Sequence, residues 1–162
     1  MKIFIGSDHV GFDLKRKLVA FLRGLGYEVE DCGAHEFDPI DDYPDLILPV
    51  ARHVAMDPEC VRGIILGGSG QGEAIVANRI PGVRAALYYG GNIELIELSR
   101  KHNAANVLSL GARFIDHAAA KEAVKLWLAT PFSQEERHVR RVRKIDEPFA
   151  GLFPSQSAES PT

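Results

Sequence analysis

The chain has 162 residues, enough for one domain of ordinary size whose core needs neither metal nor disulfides to hold it. With 46% hydrophobic and 25% charged residues it reads as a soluble globular protein, which excludes a disordered or bilayer-spanning chain. A formal net charge of -3 argues against a nucleic-acid backbone as partner, because that role demands a clustered positive surface.

Short β-branched runs alternate with longer amphipathic segments along the chain. Met1 leads directly into a strand over Lys2–Gly6, a pattern too short for a signal-peptide core. A loop with Ser7-Asp8-His9 follows, then a helix from about Gly11 to Leu25, with Leu14, Leu18, Phe21, Leu22 and Leu25 on one face. Gly24 and Gly26 stop it. Tyr27–Asp31 is a second strand, and Cys32 to Asp42 an acidic connection containing Asp41-Asp42. A helix over Tyr43–Met56 takes Asp42 as N-cap and Pro44 in its first turn. Val61–Leu66 is a strand buried on both faces, as in a parallel sheet. A glycine-rich turn precedes a helix from about Gly72 to Arg79. Val83–Leu87 is the fourth strand, Asn92–Asn103 a helix, Val107–Leu110 the fifth strand, and Asp116–Leu128 a helix. A charged helix from Ser133 to about Glu147 ends the pattern, and 148–162 reads as a tail, partly disordered or covering an interface. The expectation is one domain over 1–147 with a three-layer α/β/α, Rossmann-like, doubly wound parallel sheet of about five strands. Ligands of such sheets bind at the carboxyl ends of the strands.

Gly67-Gly68-Ser69-Gly70-Gln71-Gly72-Glu73 lies at one such end. Its glycines let successive backbone N–H groups surround an anion, and the following helix adds its positive end. The turn lacks the Lys-Ser/Thr ending of a P-loop, and the first turn, Gly6 to Gly11, does not match a dinucleotide fingerprint. Glu73 either complements the helix dipole or acts as a general base towards whatever the turn holds. Ser69 is either turn chemistry or a donor to a developing oxyanion. A base beside oxyanion donors is what aldose–ketose isomerisation requires. Arg137 and Arg141, four residues apart, share a helical face that is either solvated or convergent on a phosphate. Cys32 and Cys60 show no metal-ligand spacing and read as reduced thiols of a cytoplasmic protein. His35, His53, His117 and His138 read as surface histidines.

The run Gly6-Ser7-Asp8-His9-Val10-Gly11-Phe12-Asp13-Leu14-Lys15 resembles the N-terminal motif of the type B ribose-5-phosphate isomerases. Asp42-Tyr43-Pro44, the turn Gly67–Glu73, Ala77-Asn78-Arg79, Arg100-Lys101-His102-Asn103 and Arg137-His138-Val139-Arg140-Arg141 follow in that family's order, so the resemblance covers about residues 1–147. It implies a base at Glu73, in the branch that places glutamate after the glycine turn. The other branch has a cysteine where this chain has Gly67, so neither Cys32 nor Cys60 is the base. It further implies ring opening by His102 with Asp8 nearby, and sugar oxygens held by Asn103 and by the turn (Gly67, Gly68, Ser69, Gly70, Gln71 and Gly72). His9, Arg113, Arg137 and Arg141 match phosphate-holding positions, and Tyr43 lines the site. Sites shared across a homodimer, a possible tetramer, and no metal or organic cofactor belong to the same implication. The substrate expected is ribose 5-phosphate, with tetrose, allose or galactose phosphates, or a non-catalytic phosphosugar-binding module, as alternatives.

Overall fold

A computed structural model describes residues 1–149, the side chain of Phe149 excepted. Five strands, β1 (Lys2–Ser7), β2 (Glu28–Asp31), β3 (Arg62–Gly67), β4 (Ala85–Tyr88) and β5 (Val107–Gly111), alternate with α1 (Phe12–Gly24), α2 (Tyr43–Met56), α3 (Gln71–Ala77), α4 (Glu94–Asn103), α5 (His117–Ala129) and α6 (Glu136–Asp146). All strand pairs are parallel, in the order β2-β1-β3-β5-β4. The order turns at β1 and β3, where connections leave in opposite directions and their loops diverge.

Two apolar layers flank the sheet. Leu18 and Leu22 of α1, Ile96 of α4, and Val124 and Trp127 of α5 pack with Ile3, Ile5, Ile64, Leu66 and Leu108 on one face. Ile47, Val50, Ala51 and Val54 of α2 and Ala77 of α3 cover Phe4, Ile65 and Val107 on the other. The central strands β1, β3 and β5 are buried almost throughout, hence their uninterrupted apolar runs. The outer strand β2 carries the charged residues Glu28 and Glu30, which discourage pairing with a further chain.

Boundaries shift where side chains take over backbone hydrogen bonds. β4 starts at Ala85 rather than Val83, because the Arg84 amide donates to Asn106 Oδ1 at 2.8 Å. α3 stops at Ala77 rather than Arg79: Asn78 clamps Ala85, accepting from its N–H at 2.7 Å and donating to its carbonyl at 3.1 Å. Asn92 lies ahead of α4 and accepts from the Glu94 amide through its side chain. α6 begins at Glu136, because Ser133 is drawn off to the Lys101 carbonyl and to the His138 ring. Asp42 does occupy the N-cap of α2, with Pro44 in the first turn, but its side chain makes no capping bond. Glu147–Phe149 form one 3-10 turn, and the tail expected over 148–162 otherwise lies outside the described residues.

Candidate active site

The loops at the carboxyl ends of β1, β3 and β5 interlock. The Asp8 amide donates to the Leu66 carbonyl, the amides of Ala112 and Arg113 donate to the carbonyls of Gly67 and Gly68, and the Ser109 hydroxyl donates to the Gly70 carbonyl at 2.6 Å. Gly70 turns the chain at φ 76, a left-handed conformation suited to glycine. The Gln71 amide donates to the Ser69 hydroxyl at 3.3 Å, a turn contact that leaves the hydroxyl proton free to be donated. Among the described residues, the amides of Gly68, Ser69 and Gly70 donate to no protein acceptor, so three N–H groups are available to an oxyanion. α3 has only seven residues, so these amides matter more here than its dipole.

Glu73 sits in the first turn of α3 and is 4% exposed. Its carboxylate turns back under the strand it followed, into the space beside Gly67. A Cβ added at position 67 would overlap the Glu73 carboxyl carbon and both its oxygens. Glycine at 67 is therefore a steric requirement of this glutamate. Burial pushes the Glu73 carboxyl above its ordinary pKa; its own amide opposes the shift, and the charges of Asp8 and Asp41 add to it. A carboxylate so raised is a stronger base than an exposed one.

Around this group stand most of the residues expected from the sequence. Asp8 is buried and accepts from the Gly11 amide at 2.9 Å, which fixes the first loop. His9 meets Asp41 through Nδ1 at 2.7 Å, and that hydrogen bond, offset in part by burial, raises the imidazole pKa. Tyr43, at the start of α2, lies against Gly72: a Cβ there would fall 2.8 Å from the ring carbon that bears the hydroxyl. The Arg113 guanidinium lies likewise over Gly68, where an added Cβ would come within 3.2 Å of it. Gln71 is exposed at the rim.

Asp41 escaped the sequence argument. Its role depends on His9, 32 residues away, and an acidic pair in a loop is an unremarkable local signal. Its Oδ2 is buried with no hydrogen-bond partner among the described residues. The Ser7 hydroxyl, at the end of β1, is in the same condition. The carboxylate oxygen awaits a donor, and the hydroxyl can either donate or accept.

His102, Asn103, Arg137 and Arg141 are elsewhere. α4 leaves the carboxyl end of β4 and returns to the amino end of β5, so His102 and Asn103 lie at the opposite edge of the sheet from Glu73. A five-residue strand such as β5 separates those edges by roughly 15 Å. The His102 ring lies 4.3 Å from that of His138. His138 is buried and bound to the Ser133 hydroxyl at 2.8 Å, contrary to the surface placement expected of it, because it fills the seam between α6 and α4. Burial first, and then the charges of His102, Arg137 and Arg141, lower its pKa, against the opposing pull of Glu135. Arg137 and Arg141 are exposed, and Arg137 pairs with Glu135 at 2.8 Å. One chain thus brings together Asp8, His9, Tyr43, Gly67–Glu73 and Arg113, and holds His102, Asn103, Arg137 and Arg141 apart from them.

A family model described as Ribose/Galactose Isomerase matches residues 3–145. A ribose-5-phosphate isomerase B of Mycolicibacterium paratuberculosis is 42% identical to this chain over 147 residues, 91% of each. One of Mycobacterium tuberculosis is 39% identical over 147 residues, 91% of this chain and 89% of that one. Among solved structures, ribose-5-phosphate isomerase B of Mycoplasma genitalium with bound ribulose-5-phosphate superposes with a TM-score of 0.88 at 36% identity, covering 93% of this chain and 97% of that one. The enzyme of Clostridium thermocellum gives a TM-score of 0.85 at 44% identity, with 94% and 100% covered.

Proposed function

The chain belongs to the ribose/galactose isomerase family, and on that premise we propose that it interconverts D-ribose 5-phosphate and D-ribulose 5-phosphate by proton transfer through an enediolate. The observation that carries this is the buried Glu73 carboxylate, wedged beside Gly67 under three unpaired turn amides. In the cycle, His102 and Asp8 assist ring opening. Glu73 removes the proton from carbon 2 and returns it to carbon 1, while the amides of Gly68, Ser69 and Gly70 and the Ser69 hydroxyl hold the charge that develops on oxygen. His9 and Arg113, with Arg137 and Arg141, bind the phosphate and so position the reacting end. Tyr43 and Asn103 border the sugar. No step needs a metal or organic cofactor, since the charge moved is a proton and its acceptors are protein groups.

This assignment needs two chains. The separation of His102 and its neighbours from Glu73 within one chain supports a homodimer in which the edge of one subunit bearing α4 and α6 completes the glycine-turn edge of the other. The unit over 1–147 acts as a single catalytic domain, in the cytoplasm, where Cys32 and Cys60 stay outside any disulfide. Turnover measured across pentose, tetrose and hexose phosphates tests the reading: ribose 5-phosphate gives the highest kcat/KM, and Glu73→Gln lowers its kcat by about a thousandfold. Normal turnover by Glu73→Gln removes the base, and preference for another chain length removes the substrate.

A further inference from the structure

The outer edge of the sheet carries a cluster that the isomerase chemistry does not use. The Cys32 amide continues the β1–β2 ladder by donating to the Ile5 carbonyl, so Glu30 and Cys32, two residues apart, project to the same face. Phe4 is the register partner of Glu30 and shares that face. From α2, the His53 ring stacks flat on Phe4, with centroids 4.3 Å apart and planes 1° from parallel. The stack fixes the ring and sets Nε2 3.9 Å from Glu30 Oε1, too far for a hydrogen bond. One ligand atom each from Glu30, Cys32 and His53 lies within 4.8 Å of the others.

Among the described residues, none of the three atoms has a strong partner of its own: the Cys32 sulfur reaches only the Glu30 carbonyl, at 3.9 Å, and the His53 ring makes no hydrogen bond. Lys2 holds Glu30 through Oε2 at 2.7 Å, which leaves Oε1 turned towards the imidazole. Two ligands that share a zinc ion about 2.1–2.3 Å from each stand about 3.5 Å apart in a tetrahedron, so a contraction of about 1 Å closes the set. Thiolate, imidazole and carboxylate together select a borderline-soft divalent ion over magnesium or calcium, with water as fourth ligand.

We propose that Glu30, Cys32 and His53 form a binding site for one zinc-class divalent cation, which clamps the edge strand β2 to α2. In the free protein, burial, reinforced by the charges of Glu30 and Asp31, pushes the Cys32 thiol up to about 11. Binding therefore replaces the thiol proton by the metal and releases it to solvent. The nearby Lys2 ammonium lowers affinity without occupying a ligand atom. Sequence spacing hides the set, because His53 arrives from a helix 21 positions beyond Cys32.

The test uses the full-length chain, freed of metal with a chelator, and cobalt(II) and zinc(II) as probes. Cobalt produces a thiolate-to-cobalt charge-transfer band that saturates at one ion per chain; zinc abolishes the band, and zinc binding raises Tm. Cys32→Ser removes the band, and His53→Gln and Glu30→Gln each weaken binding about 10-fold or more. Cys60→Ser leaves all of this unchanged. The proposal is overturned if wild type shows no saturable band, or if the band survives Cys32→Ser and disappears in Cys60→Ser. Isomerase activity enters none of these readouts, so the site and the catalytic assignment fail independently.

Discussion

The two edges of the sheet carry opposite chemistry. At the carboxyl edge, the acids Asp8, Asp41 and Glu73 crowd together, and their mutual repulsion is part of what holds a proton close to Glu73. At the amino edge, guanidinium groups gather. Arg84 pairs with Asp146, while Arg100 is buried against the carbonyls of Thr130 and Ala105 at the ends of α5 and α4. Arg137 and Arg141 stand exposed beyond them. The lesson concerns tolerance. A buried carboxylate near other acids makes a base, whereas buried arginines satisfied by helix-end carbonyls make a support. The acid edge sets its carboxylates beside His9 and Arg113, whereas the basic edge gathers guanidinium groups around helix ends. Under the proposed function, each edge supplies half of a site for a phosphorylated sugar.

Changes at the acid edge have the largest effect. Gly67→Ala drives the Glu73 carboxylate out of its place, so kcat falls by a factor approaching that of Glu73→Gln, about a thousandfold, while circular dichroism still reports a folded α/β protein. A fall of less than tenfold means that the carboxylate acts from another position. Next in size is the joining of the two edges. Glu73→Gln and His102→Ala, each nearly inactive as a homodimer, regain about a quarter of wild-type activity when refolded together, since half the chains pair as heterodimers with one intact site. No recovery sets the two groups in the same subunit's site, or His102 outside it.

The smallest effect is also the most diagnostic. Ionised Glu73 is the active form and its pKa is raised, so kcat/KM declines as pH falls through that raised value. His9 binds phosphate as the imidazolium and its pKa is raised too, so KM climbs as pH rises through it. Asp41→Asn removes a negative charge near Glu73 and leaves His9 only an uncharged acceptor, which moves both limbs to lower pH and raises KM by about fivefold near neutrality. Titration of the substrate's phosphate cancels in the comparison with wild type. A profile that does not move leaves Asp41 as a loop residue only.

The architecture was largely legible in the sequence because central strands buried on both faces leave uninterrupted apolar runs such as Ile64-Ile65-Leu66, and helices leave stripes such as Leu14, Leu18 and Leu22. What failed locally did so where one side chain replaced a backbone partner, as with Asn78, Asn106 and Ser133. At the site, Glu73 and the glycine turn were readable because their residues are contiguous. Asp41 was not, since its meaning comes from His9, nor was the buried state of His138, which α4 imposes from across the seam. The position of the Glu73 carboxylate beside Gly67 follows from no local preference.

That shared space bears on inhibitor selectivity. In the branch that the resemblance gives a cysteine base at the end of β3, a thiol-directed electrophile is expected to reach that base; here Gly67 stands at that position beside the Glu73 carboxylate, and Cys32 and Cys60 lie outside the glycine turn. Compounds that discriminate the other way must offer a hydrogen-bond donor or a cationic group to a carboxylate whose pKa burial has raised. Since no side chain fits at 67 without expelling Glu73, a resistant variant cannot acquire a second base there in reserve. It exchanges one base for another in a single step or loses turnover.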